Sequence, residues 1–225
     1  MMASRFTGKR VLVTEAAAFM GPAVCDAFRE EGAEVLGDER DLGSASAVAA
    51  ALSEAGPVDV LIVNLGSPYT PRAVHESDPD DLQEMFRRLV LPMHALVRGV
   101  LPGMMQRRKG KIVVVGSASA LRGMPLRATY AAARGAQLAY VKTVALEAIE
   151  HNVHVNATAQ AFIENPTYYS AQYQATEEFR QRLQQVPIGR LATGREGASP
   201  ILYLASDDAD FMVGQVIACA GGFAY

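Results

Sequence analysis

Ser117, Tyr130 and Arg134 are the side chains whose types and spacing have chemistry to offer. A hydroxyl, a phenol and a guanidinium that converge in a cleft make a site for moving a proton. Tyr130 and Arg134 stand four residues apart, so on a helix they share one face and their polar ends can meet. A guanidinium stays charged, and a cation within a few Å of a phenol favours the phenolate, lowering a pKa near 10 by about one to three units. That suits Tyr130 to act as a general base near neutral pH. The pair alone says little, since this composition gives about 0.6 Tyr-x-x-x-Arg pairs by chance. Requiring a serine thirteen residues earlier lowers the figure to about 0.03.

The surrounding stretch indicates how the three are positioned. Ile112-Val113-Val114-Val115 is a buried-strand run that delivers Ser117 at its carboxyl end. A loop with Gly123 and Pro125 follows, and then an alanine-rich helix carries Tyr130 and Arg134. Along the rest of the chain, short β-branched runs predict strands at 10–14, 34–37, 58–63, 112–116, 153–158 and 215–219. Longer patterns predict helices at 21–31, 44–55, 79–107, 128–150, 170–185 and 194–206. The near-continuous apolar runs at 58–63 and 112–115 are what strands covered on both faces show. The expectation is therefore an α/β fold, a single Rossmann-like domain over 1–225 with a doubly wound parallel sheet flanked by helices on both faces.

Composition removes several function classes. The net charge is −3 and no long Lys/Arg cluster occurs, which argues against a nucleic-acid partner. No apolar stretch approaches the roughly 20 residues that cross a bilayer, and Val11-Leu12-Val13 is too short for a secretory core. No membrane association is expected. Cys25 and Cys219 fit free thiols in a reducing compartment, so a cytoplasmic setting is expected. His151 and His154 lack further ligands and read as solvent-facing residues near a helix end, so no metal is expected.

In a sheet of this kind a dinucleotide pyrophosphate rests at the first strand-to-helix turn, where glycines let backbone amides approach the phosphates. Here that turn is Thr14-Glu15-Ala16-Ala17-Ala18-Phe19-Met20-Gly21. An anionic Glu15 repels phosphates, and the Phe19 ring fills the approach. Glu15 reads as a turn charge near a helix start rather than a catalytic acid. Asp38 and the Asp41-Leu42 pair stand where an adenosine would be held, but without the glycines they read as relics or surface charges. Asn64 and Gly66 read as structural.

Over nearly its whole length the chain resembles the short-chain dehydrogenase/reductase superfamily and, within it, the halohydrin dehalogenases. Two motifs carry the resemblance: Ser-x12-Tyr-x3-Arg in place of Ser-Tyr-Lys, and Thr14, Phe19 and Gly21 in a Thr-x4-Phe/Tyr-x-Gly turn. The runs Gly-Lys-Ile-Val-Val-Val-Gly-Ser-Ala and Pro-Ile-Gly-Arg-Leu-Ala-Thr look closest to the shorter B-type members. The resemblance implies cofactor-independent conversion of vicinal haloalcohols to epoxides with release of halide and a proton. It also implies the reverse reaction with small anions such as azide, cyanide or nitrite. Tyr130 is then the base, Ser117 orients the substrate oxygen and Arg134 favours the phenolate. Phe19, Gln160, Ala161, Phe162 and Ile163 are the implied halide pocket, with the Phe162 and Ile163 amides as donors. Ser119, Met124, Tyr168 and Tyr169 are assigned to the substrate side. A homotetramer paired through 79–107 and 128–150 is expected. An atypical NAD(P)-dependent oxidoreductase and a non-catalytic Rossmann-like binding protein are the competing readings.

Overall fold

Alternate residues of the central strands look toward opposite helical layers. The structure, a computed structural model, describes residues 4–165 and 167–225. Its strands are β1 (Arg10–Val13), β2 (Glu34–Gly37), β3 (Val60–Val63), β4 (Gly110–Ser117), β5 (Val153–Gln160) and β6 (Val216–Cys219). They form one parallel sheet in the order β2-β1-β3-β4-β5-β6. On one face Val11, Val13, Ile62, Val113 and Val115 pack with Val24 and Phe28 of α1 (Gly21–Glu30) and Ile201 of α8 (Gly194–Ala205). On the other face Leu12, Leu61, Ile112 and Val114 meet Val48 of α2 (Ala45–Ala55), Leu89 of α3 (Pro79–Leu89), Leu96 of α4 (Leu91–Arg107) and Val141 of α5 (Ala128–Ile149). Both faces are thus covered, which accounts for the unbroken apolar runs.

The expected strands are all present; β4 runs two residues further at its amino end and one at its carboxyl end than the sequence pattern indicated, and β5 two further at its carboxyl end. Two predicted helices are each divided. The segment 79–107 breaks at Val90, because Pro92 opens α4 and cannot donate to the preceding turn. The segment 170–185 becomes α6 (Ala171–Gln174) and α7 (Glu177–Leu183), and the Thr176 side chain caps α7 by accepting from Phe179 N–H. His154, expected at a solvent-facing helix end, lies inside β5 with 4% exposure and Nε2 on the Asp210 carbonyl. No helix among the described residues is long and apolar enough to cross a membrane.

The topology also fixes where a ligand fits. The chain leaves β1 for β2 on one side and returns to β3 on the other, which opens a crevice beyond their carboxyl ends. The β1–α1 turn, the end of β3, Ser117 of β4 and Gln160 of β5 all face it.

Candidate active site

Arg134 ties the site to the sheet. It is only 4% exposed. Its Nε donates to the Tyr130 phenol oxygen at 3.0 Å. Nη1 donates to the Val115 carbonyl at 3.1 Å and to Gln137 Oε1 at 2.9 Å, and Nη2 donates to the Leu65 carbonyl at 2.9 Å. One guanidinium therefore joins α5 to the carboxyl ends of β3 and β4. Gln137 continues the chain by donating to the Leu89 carbonyl at the end of α3. Burial opposes the charge on Arg134, but the Tyr130 and Tyr168 phenols, the hydrogen bond to Tyr130 and the Glu15 carboxyl raise its pKa above the ordinary guanidinium value. The site holds a permanent cation against a phenol.

Ser117 ends β4 half-buried, and its Oγ accepts from the Ser119 hydroxyl at 3.0 Å and from Ser119 N–H at 3.3 Å. With its lone pairs engaged, Ser117 keeps its O–H for donation. Ser117, Tyr130 and Arg134 line one cleft of about 440 Å³. Phe19, Gln160, Ala161, Phe162 and Ile163 line the same cleft, as do Ser119, Met124, Tyr168 and Tyr169. All twelve predicted site residues are brought together.

Their individual settings differ. A parallel bridge between Ile163 and Ala192 uses the Phe162 carbonyl and the Glu164 N–H, so the amides of Phe162 and Ile163 lie outside that pairing. Phe162 has a φ of 56°, which turns the chain out of β5 toward the cleft. Gln160 is held on α8: its Nε2 donates to the Gly197 carbonyl at 2.9 Å, while its buried Oε1 finds no partner among the described residues. Tyr168 donates to the Ser67 carbonyl at 3.1 Å, and burial, reinforced by Tyr130, pushes its phenol well above the ordinary range. Tyr168 is thus a protonated part of the cleft wall. Tyr169 is also raised, by burial.

Sequence reasoning missed Tyr69. Its ring stacks on Tyr130 with centroids 4.8 Å apart and 26° between planes. The signal available was an aromatic residue just after β3, next to Ser67-Pro68. It also missed Arg127 and Arg182 in the cleft wall.

The first turn keeps an unusual backbone. Glu15 and Phe19 have φ of 45° and 51°, in the left-handed region that glycine adopts without strain. Asn64 pins the turn by donating to the carbonyls of Thr14, Glu15 and Ala18. The Phe19 ring lies flat over Gly66, where a Cβ would come within 2.1 Å of the ring, and 5.4 Å from the Tyr168 ring. Glu15 accepts from Gly66 N–H at 2.9 Å instead of serving the helix start. Asp38 is buried and accepts from the Arg40 N–H, with the Arg40 guanidinium 3.2 Å away.

Burial, only partly opposed by Gly66 N–H and Arg134, pushes the Glu15 carboxyl up to about 7. A carboxyl whose folded value lies above its unfolded one stabilises fully below the unfolded value of 4.5 and loses that contribution as pH rises through 7. Glu15→Gln stays neutral, so it is expected to stabilise at pH 8 by about 1–2 kcal/mol, allowing for partial exposure. That corresponds to a Tm rise of roughly 2–8 °C. Thermal melts at pH 8 and pH 5 check this; an equal shift at both values would contradict the buried carboxyl.

Comparison with known proteins places this geometry. The family described as "Enoyl-(Acyl carrier protein) reductase" matches residues 37–224. The 3-oxoacyl-[acyl-carrier-protein] reductase FabG of Vibrio harveyi is 29% identical over 240 residues, covering 96% of this chain and 97% of that protein. Among solved structures, one titled "Dehalogenation enzyme" has 28% identity and a TM-score of 0.90, covering 97% of this chain and 99% of that one. A halohydrin dehalogenase bound to ethyl (2S)-oxiran-2-ylacetate has 25% identity and a TM-score of 0.87, covering 96% and 97%. Fold, crevice and family match agree: the chain belongs to the short-chain dehydrogenase/reductase superfamily.

Proposed function

We propose that the protein is a halohydrin dehalogenase that converts vicinal haloalcohols to epoxides without a redox cofactor. The observation that carries this reading is the occupied first turn. Phe19 seats its ring on Gly66, Glu15 places a carboxyl beside it, and Asp38 is already held by Arg40. These residues do not fit a dinucleotide, whose phosphates need close backbone approach and positive surroundings. The proton chemistry next to that turn is intact.

The steps follow from the side chains. Ser117 donates to the substrate hydroxyl oxygen and fixes its position. Tyr130, as phenolate stabilised by the Arg134 Nε–H, takes the hydroxyl proton. The alkoxide electron pair forms a C–O bond to the adjacent carbon as the C–X pair leaves with the halide. The proton on Tyr130 passes to solvent. Nothing is oxidised or reduced. The leaving halide needs a partly dry pocket with N–H donors; we assign this to the Phe162 and Ile163 amides, which the Ile163–Ala192 bridge does not use, and to the Phe19 ring, all from residues that line the cleft. In reverse, Tyr130 returns the proton while a small anion opens the ring. A homotetramer paired through 79–107 (α3 and α4) and α5 fits the exposure of Leu82, Leu91 and Leu146 on those helices. Free Cys25 and Cys219 accord with a cytoplasmic setting.

The names of the sequence relatives favour a second reading, an atypical NAD(P)-dependent oxidoreductase. Incubating the protein with 1,3-dichloro-2-propanol in the absence of nucleotide separates the two by halide release. Release supports the dehalogenase. Its absence together with nucleotide-dependent carbonyl reduction would sink it, and neither activity would leave a binding protein.

A further inference from the structure

Two arginines stand in the mouth of the catalytic cleft without a carboxylate salt-bridge partner among the described residues. The Arg127 guanidinium, just before α5, lies 5.0 Å from the centroid of the Tyr69 ring. That ring is itself stacked on Tyr130, so Arg127 sits one aromatic layer from the base. Arg182 of α7 donates to the Tyr173 phenol at 2.6 Å. Neither makes a salt bridge to Asp or Glu among the described residues, while twelve of the other ion pairs in the chain use up arginines elsewhere. Both act on the same two phenols, opposing the effect of burial on Tyr69 and on Tyr169. Their fields therefore overlap in one place. Among the described residues the single acid lining this cleft is Glu178, exposed and accepting from the Tyr173 hydroxyl at 3.2 Å. The rim retains a net positive charge.

A guanidinium in a half-buried cleft is a fork for planar anions and is less strongly hydrated than an ammonium. We propose that Arg127 and Arg182 bind a carboxylate at the far end of the substrate, so that the preferred substrates are haloalcohols and epoxides with an anionic tail. This rests on the dehalogenase reading. A short aliphatic chain spans the layer occupied by Tyr69, with the reacting carbons at Tyr130 and the carboxylate at the rim. A purely apolar haloalcohol leaves both cations unused.

The test compares halide release from 4-chloro-3-hydroxybutanoate with release from its neutral methyl ester. The free acid is expected to have the higher kcat/KM, by about tenfold at low ionic strength, with the gap narrowing as salt screens the pair. In the double variant Arg127→Met/Arg182→Met the acid-to-ester ratio should fall to about one, while lysine at both positions, which keeps the charge but not the fork, should give an intermediate ratio. Glu178→Gln should widen it. Taking the ratio within each variant removes general damage to the fold. A wild-type ratio at or below one, or an unchanged ratio in the double variant, would overturn the proposal while leaving the dehalogenase reading in place. If neither compound nor 1,3-dichloro-2-propanol releases halide, the dehalogenase reading fails. Calorimetric titration with 3-hydroxybutanoate then judges the arginines alone. Binding lost in the double variant upholds them; no binding, or equal binding, overturns them.

Discussion

Tyr130→Phe is expected to lower halide release from a vicinal haloalcohol by about 10²–10⁴-fold, the range typical of a removed general base. The substitution deletes one oxygen and leaves the ring stacked on Tyr69. It also leaves the Nε–H of buried Arg134 without its acceptor, at a cost of about 1–3 kcal/mol. For a chain of this length the melting temperature should then fall by roughly 2–12 °C, with the fold retained. Circular dichroism and a halide assay on one preparation check both parts. Full activity would remove Tyr130 from the role of base. Tyr168 is a poor replacement, because its phenol is held protonated by burial and donates to Ser67.

Arg134→Met should have the larger effect on folding. The arginine donates to the carbonyls of Leu65 and Val115 and to Gln137 as well as to Tyr130. Methionine fills some of its volume but strands those acceptors where water does not reach. Breaking such a buried charged network costs about 3–5 kcal/mol, equivalent to a fall of roughly 6–20 °C in Tm. Arg134→Lys keeps the charge but has only three donors on one nitrogen, and cannot meet acceptors on β4, just past β3 and on two helical residues at once. It is expected to fold and to lose activity by about 10–100-fold, since the phenolate keeps a cation but loses the Nε–H geometry. Thermal melts with halide assays separate the two variants. A methionine variant as stable as the parent would show that the sheet does not depend on this tether.

The parts of the site that were legible in the sequence are those carried by regular elements. Ser117 was readable because Ile112 to Val115 marks a buried strand, and Tyr130 with Arg134 because four-residue spacing fixes a helix face. Phe19 was readable as a departure from the turn expected at the end of β1, and Gln160 and Ala161 as departures at the end of β5, whereas Phe162 and Ile163 were named only through the family resemblance. Tyr69 was not, because no period relates a residue in the loop after β3 to one on α5. Arg127 and Arg182 come from separate segments, and no local pattern relates them although both line the cleft. The division of 79–107 had its signal in Pro92, but the apolar pattern runs through the break without interruption. The anchoring of Gln160 depends on Gly197, on a helix whose approach no local pattern specifies.

Glu15 is energetically uphill on two counts. Its backbone sits in the left-handed region at a cost of about 1–2 kcal/mol for an L residue, and its carboxyl is partly withdrawn from water. One hydrogen bond from Gly66 offsets a fraction of this. Phe19 carries the same backbone cost but recovers it through ring contacts with Gly66 and Tyr168. Folding stability alone therefore supplies a reason for the phenylalanine and none for the glutamate. A library selected only for thermal resistance should discard Glu15 early, in favour of glycine, whereas one selected for turnover would show whether activity requires the acid in the first turn.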